Sequence, residues 1–297
     1  MAAAVLWGGT GVYFKELSAL GAQTLQIVFM RTSIAMLGLG LWLLFKNREA
    51  FRVRRRDLWC FLGTGLVSLL SFNWLFFMSV GVSGMAVAGV LLYTAPAIVT
   101  VLSAFLFKEK LRLSGWGILV VILFGCALVS GIVGDTSAIS ISGILFGLGS
   151  GLGYALYSIF GRYALMRGYS AQTISFYTFA FCTLGCIPFV AVSFGQNLSL
   201  LAFNPEVWLF ALGLGILGCL FPYWLYTKGL SGVTGATASM TATFEPVVAA
   251  LFGVFLYHEV LTIWQITGIA LVLGGIILLS RIGSGSSIPI DSDSVNL

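Results

Sequence analysis

The sequence predicts an all-α polytopic membrane protein of ten transmembrane helices arranged as two inverted five-helix repeats. Three observations carry that prediction. Of 297 residues, 59% are hydrophobic and only 8% charged, against roughly a quarter charged in a soluble domain, so water is not the main solvent. The stretch Ala86 to Leu111, AVAGVLLYTAPAIVTVLSAFLFKEKL, recurs at an offset of 150 as Ala236 to Leu261, ATASMTATFEPVVAALFGVFLYHEVL. The apolar runs number five per copy, and an odd number of crossings makes the second copy enter the membrane from the opposite side to the first.

A spanning helix needs about 20 mostly apolar residues. Such runs cover residues 1–14, 22–45, 58–80, 84–107, 114–134, 139–161, 171–194, 207–227, 234–257 and 263–281. They are apolar at nearly every position, which excludes the alternation of a barrel. The first run carries Gly8, Gly9 and Gly11 beside Trp7 and Tyr13, residues that permit close helix approach or local unwinding. It lacks the basic leader of a signal peptide and aligns with the start of the second copy, so it reads as a true span. The second run opens on Ala22, Gln23 and Thr24, which match Ala171, Gln172 and Thr173; in the third, Trp59 matches Trp208, and Trp74 with Leu75 matches Trp224 with Leu225. The fourth and ninth runs hold Pro96 and Pro246, which each remove a mid-span hydrogen bond and predict a kink. Glu109 and Glu259 follow in short turns. Pro188 and Pro222 predict similar bends in runs seven and eight. Run six has Gly143, Gly147 and Gly151 on one face and Gly149 with Gly153 offset from it, a small-residue pattern that predicts tight helix packing. The domain reading is therefore a first repeat over 1–134, an inverted second repeat over 139–281, and a polar, flexible cytoplasmic tail over 282–297.

The formal net charge of +5 is a topology signal rather than a nucleic-acid footprint. With a cytoplasmic N-terminus, all of the 15 basic residues except Lys15 and Arg31 fall on the cytoplasmic side, including Lys46, Arg48, Arg52 and Arg54–Arg56, then Lys108, Lys110, Arg112, Arg162, Arg167, Lys228 and Arg281. That distribution obeys the positive-inside rule with both termini in the cytoplasm, and the run at 46–56 can also meet anionic lipid. Cys60, Cys126, Cys182, Cys186 and Cys219 lie in apolar runs without metal or disulfide spacing and read as small core residues. No phosphate-cradling loop, metal cluster or nucleophile with a base partner is found, so the sequence predicts neither an enzyme nor a cofactor or metal site.

Ionisable residues near the midplane cost about 2.5–3.5 kcal/mol to insert, so they mark function. Arg31 and Glu245 qualify, Arg31 suited to a carboxylate and Glu245 to an ammonium group or a coupling proton. Both could instead be structural, locking helices by buried pairing. Trp7, Asn73, Trp74, Tyr93, Tyr154, Tyr177 and Tyr223 complete the predicted substrate-binding set, with Thr94, Tyr157, Thr241 and Thr243 nearby; amphipathic aromatics suit amino acids and flat organic cations alike. Pro96 and Pro246 are the candidate gates. His258, the only histidine, reads as an interfacial residue. Inverted repeats are a recurrent plan of secondary transporters; a passive channel or membrane scaffold is the competing class.

The Trp-Gly start, Arg31 in run two, the Pro96 run closing on Glu109, and Glu245-Pro246 in run nine together resemble the drug/metabolite transporter superfamily, specifically its ten-helix EamA-type members. The resemblance covers almost the whole chain. It implies a carrier with a central cavity between the halves, moving amino acids, other small metabolites or drugs, frequently outward, in a bacterial inner membrane. Amino-acid export is the favoured reading and a drug or organic-cation exporter the alternative. The partners expected are the small-molecule substrate and the bilayer, with no nucleic acid and a monomer favoured.

Overall fold

A computed structural model describes residues 1–109, 113–133, 140–258 and 260–283, without the side chains of 193–202 and 282–283. Lys110, Arg112, Glu259 and the tail from 284 onward lie outside the described residues. Every described element is helical. In order, α1 (Ala2–Gly8) and α2 (Thr10–Ala19) are separated at Gly9, and α3 (Thr24–Lys46) follows. Next come α4 (Leu58–Leu62), a π-helical segment Gly63–Leu70, α5 (Ser71–Leu92), α6 (Ala95–Leu106) and α7 (Leu113–Val129). The second half runs α8 (Ile141–Met166), α9 (Ala171–Phe203), α10 (Pro205–Gly215), a π-helical segment Ile216–Leu220, α11 (Phe221–Leu230), α12 (Gly235–Ala242), α13 (Glu245–Tyr257) and α14 (Ile263–Gly283).

Local chemistry sets the boundaries. Side chains of Ser140, Ser170, Asn204 and Thr234 accept the first free N–H groups of α8, α9, α10 and α12, the donors that a helix start leaves without partners. Gln23 and Gln26 form a reciprocal box at the start of α3. Among the described residues, seven apolar helical stretches are long enough to cross a membrane, and Ala95–Leu106 and Leu113–Val129 are shorter apolar helices. The longest stretch, Arg55–Leu92, has 38 residues, about twice what one crossing needs. It turns at Gly84, whose φ of 80° and ψ of 167° break the helix, a conformation that only glycine adopts cheaply.

The two proline arms are interrupted more fully than a kinked helix would be. A turn at Tyr93–Thr94 separates α5 from α6, and one at Thr243–Phe244 separates α12 from α13. Pro96 and Pro246 each stand in the first turn of the outer helix, where a missing N–H costs little. The outer helices also end alike: Lys108 and His258 are the two non-glycine residues with positive φ among the described residues, both at 55°. Pro222 likewise opens α11, whereas Pro188 lies inside α9, which continues through it.

The interior is several packed seams. Helix α3 packs on α9, α7 on α14, α8 on both α5 and α6, and α1 on both α13 and α11. Small residues set the closest approaches, since lipid offers little hydrophobic drive between helices and van der Waals fit must hold them. A Cβ on Gly147 would lie 2.7 Å from the Leu91 Cβ, one on Gly153 2.9 Å from the Phe72 Cβ, and one on Gly268 2.6 Å from the Gly125 carbonyl. Both glycine stripes of α8 are thus occupied by α5 and the turn after it. All five cysteines are buried free thiols.

Candidate functional site

Trp7, near the end of α1, is the centre of an aromatic cluster. Its ring centroid lies 5.2 Å from Tyr223, 5.4 Å from Tyr226 and 6.2 Å from Tyr154. Tyr223 also meets Tyr157 at 5.1 Å and Phe179 at 5.8 Å, and Tyr154 meets Phe72 at 5.5 Å. These are mostly tilted or edge-on contacts, the arrangement that ring quadrupoles favour.

The hydroxyls divide the tyrosines into two kinds. Tyr157 pairs with Thr227 Oγ1 at 2.7 Å and Tyr226 with Ser158 Oγ at 2.7 Å, so both are satisfied and hold α8 to α11. The hydroxyls of Tyr93, Tyr154 and Tyr223 have no hydrogen-bond partner among the described residues. Tyr93 and Tyr154 are enclosed by protein yet retain accessible surface, as does Glu245. Tyr93, Tyr154 and Glu245 thus converge on one partly accessible interior region, the hollow, while Tyr223 is buried against Trp7.

Arg31, on α3, is 8% exposed. Its Nη2 donates to Asn73 Oδ1 at 2.7 Å, and Asn73 Nδ2 in turn donates to the Leu69 carbonyl at 2.6 Å, where the first π-helical segment ends. Asn73 thereby fixes one edge of the guanidinium. Arg31 Nε has no partner, which leaves a buried cation short of an acceptor, a costly condition unless something else supplies one. Glu245 opens α13, where the helix N-terminus favours negative charge. It lies close enough to Arg31 to feel its charge, and also acts on Tyr93 and Tyr154, but the two form no ion pair. Helix α1 crosses the break beside it: a Cβ on Gly8 would stand 2.9 Å from the Glu245 carbonyl.

The structure thus brings together Trp7, Arg31, Asn73, Tyr93, Tyr154, Tyr223 and Glu245. Two predicted residues do not join them. Trp74 is 48% exposed on the outer surface against Phe189. Tyr177 lies at the end that carries the basic loops, its hydroxyl donating to the Phe51 carbonyl at 2.8 Å. The reason is common to both: on helices that are apolar all round, composition does not say which face turns inward. His258 is exposed, as an interfacial residue would be. Pro96 and Pro246 stand at the two breaks, each one residue past the start of its helix, after Ala95 and Glu245. Tyr226, which sequence reasoning missed, owes its place to the helical spacing from Tyr223.

A second polar cluster, also missed, lies at the basic end. Glu109 pairs with Arg162 Nη2 at 3.0 Å and accepts from the Gly235 N–H at 3.1 Å. Arg162 Nη1 donates to the carbonyls of Leu230 and Val233 at 3.1 and 2.7 Å. Burial raises the Glu109 carboxyl above its usual range, opposed by the Arg162 charge and the Gly235 N–H. Nearby, Asp57 pairs with Arg167 at 3.1 Å and accepts from the Tyr169 hydroxyl at 2.7 Å. Opposite charges in separate loops of one end were the available sequence signal. The spans that bring them together were not.

The EamA-like transporter family matches residues 1–131 and 141–281. Relatives include an uncharacterized transporter of Archaeoglobus fulgidus, 29% identical over 94% of this chain and 93% of its own. Another is the Bacillus subtilis uncharacterized transporter YwfM, 29% identical over 94% and 91%. The Salmonella typhimurium uncharacterized inner membrane transporter YicL is 27% identical over 94% and 92%. A solved crystal structure with 18% identity superposes over 96% of both chains with a TM-score of 0.78, which shows the shared fold. The chain belongs to the EamA-like transporter family and is a multi-pass membrane transporter.

Proposed function

We propose that this member of the EamA-like family is a secondary carrier that moves small zwitterionic metabolites, amino acids foremost, out of the cell by alternating access. One observation carries the substrate class: a buried guanidinium with an unpartnered Nε and an unpaired carboxylate address the same hollow without touching each other. A ligand with its own carboxylate and ammonium group would complete both, with the hydroxyls of Tyr154 and Tyr223 beside Trp7 and that of Tyr93 near Glu245. Glu245 doubles as the proton-coupling group, emptied or filled as substrate comes and goes. The breaks at Pro96 and Pro246 act as hinges.

The ten-span inverted repeat underlies this reading. The matched stretches 1–131 and 141–281 agree with the two copies. The packing is of the kind that such a repeat leads one to expect: α1 packs on α13 and α8 on α6, and α7 packs on α14. The basic end is then the cytoplasmic face of an inner membrane, with both termini and the tail on that side, and the carrier is a monomer. The aromatic cluster beside Glu245 favours one rival substrate, an organic cation, which would need Glu245 but not Arg31.

The test is uptake and counterflow of radiolabelled amino acids in proteoliposomes. Saturable counterflow of at least one amino acid is expected, lost about tenfold or more in Arg31→Gln, because a hydrogen bond to a charged group is worth about 1.5–3 kcal/mol. Transport of organic cations that survives Arg31→Gln would favour the rival. Flux that neither saturates nor shows counterflow would indicate a channel.

A further inference from the structure

Three helical elements contribute to the hollow and then run toward the basic end: α8, which carries Tyr154; α6, which follows Tyr93; and α12, which leads to Glu245. All three meet at one buried cluster. On α8, Tyr154, Ser158 and Arg162 follow at intervals of four residues, so they share a face and span about 12 Å of helix rise. Ser158 pairs with Tyr226 at 2.7 Å, one turn nearer the basic end than Tyr154. Arg162 is a further turn on and pairs with Glu109, beyond the C-terminus of α6, at 3.0 Å, with side-chain exposures of 11% and 6%. Glu109 also accepts the first N–H of α12 from Gly235, and Arg162 donates to the carbonyls of Leu230, the last residue of α11, and of Val233 in the loop before α12. The helices close tightly here: a Cβ on Gly235 would stand 2.8 Å from Ser103 Oγ and 3.3 Å from Val99 Cγ1.

The cluster joins the matched stretches, with Glu109 in 1–131 and both Arg162 and Gly235 in 141–281. A buried pair of this kind resists water and holds only one arrangement, since parting it strands two desolvated charges. For a cavity that must open alternately to each side, such a bond between the moving halves decides which side is sealed.

We propose that Glu109 and Arg162 form the latch that seals the hollow at the basic end, and that the latch parts in every transport cycle. Its place at the convergent ends of α6, α8 and α12 means that releasing it frees the elements carrying Tyr93, Tyr154 and Glu245 together. The inference rests on the carrier reading above, and neither residue touches substrate.

The test needs no knowledge of the substrate. Tyr154→Cys places a thiol in the hollow, to be labelled by a membrane-impermeant maleimide offered from each face of oriented vesicles, with the native thiols buried as background. In the otherwise native chain, labelling is expected mainly from the face opposite the basic end. Glu109→Gln and Arg162→Gln are expected to raise labelling from the basic face about tenfold or more and to lower it from the other, as a shifted two-state equilibrium requires. Glu109→Asp keeps the charge while shortening its reach, so it serves where Glu109→Gln does not fold, and its rate from the basic face should be intermediate. The double swap Glu109→Arg with Arg162→Glu should return labelling toward the native pattern. Labelling that occurs normally but is unchanged from both faces in every latch variant would overturn the latch alone. A thiol at position 154 that reacts from neither face in any variant would overturn the carrier reading, and the latch with it.

Discussion

The breaks in the two proline arms share a backbone pattern and differ in the side chain that opens the outer helix, Ala95 in one and Glu245 in the other. Each has a turn, then an outer helix with proline in its first turn, then a residue at a φ of 55° closing that helix. A glycine-bearing helix crosses each: a Cβ on Gly8 would meet the Glu245 carbonyl at 2.9 Å, and one on Gly151 would meet Thr94 Oγ1 at 2.7 Å. At the first outer-helix residue, however, the first arm has Ala95, fully buried among Val99 and Ala155. The second has Glu245, enclosed yet accessible. The two arms share the geometry of the break, and the hollow's acidic group stands in one of them only.

The largest expected effect comes from making the two arms alike in the wrong direction. Ala95→Glu would put a carboxylate in a sealed seam with no partner, at a cost of about 2.5–3.5 kcal/mol on the insertion scale before any packing strain. Loss of monodisperse folded protein in detergent chromatography is expected. Normal yield would mean that the first break has room like the second.

The reverse swap acts on function instead. Glu245→Gln keeps shape and hydrogen-bonding capacity, so the protein should fold and insert, while net transport falls about tenfold or more and loses its pH dependence. Transport with unchanged rate and pH profile would reduce Glu245 to a helix-end carboxylate placed for the dipole of α13.

A smaller and equal effect is expected from crowding the crossings. Gly8→Ala and Gly151→Ala each push a methyl group into backbone or side-chain atoms, and overpacking of this kind costs about 1–3 kcal/mol. Thermal unfolding monitored by intrinsic fluorescence should show similar losses for both. A large difference between them would show that the crossings are not equivalent.

The smallest stability effect belongs to the prolines. Each occupies a helix start, where no intrahelical bond is lost, so Pro96→Ala and Pro246→Ala should change stability by less than about 1 kcal/mol. If the breaks are hinges in opposed halves, the two variants should shift thiol accessibility at position 154 in opposite senses. Equal accessibility in both would make the breaks fixed features of the fold.

Much of this was legible in the residues themselves. Composition and run length gave a multi-pass helical membrane protein, because a bilayer demands long apolar helices with internally satisfied backbones. The offset of 150 located the two arms and their prolines. The rarity of charge in lipid singled out Arg31 and Glu245, and both reached the interior site. What the sequence left open was facing and partnership. Trp74 and Tyr177 were as aromatic as Tyr154 and Tyr223, and only packing turned the first toward the outer surface and the second toward the basic loops. Asn73 became the anchor of Arg31, and Glu109 the partner of Arg162, through contacts 42 and 53 residues apart in sequence. A helix that is apolar on every side records its length and its breaks in the sequence, whereas which face meets a neighbour is settled only when the neighbours arrive.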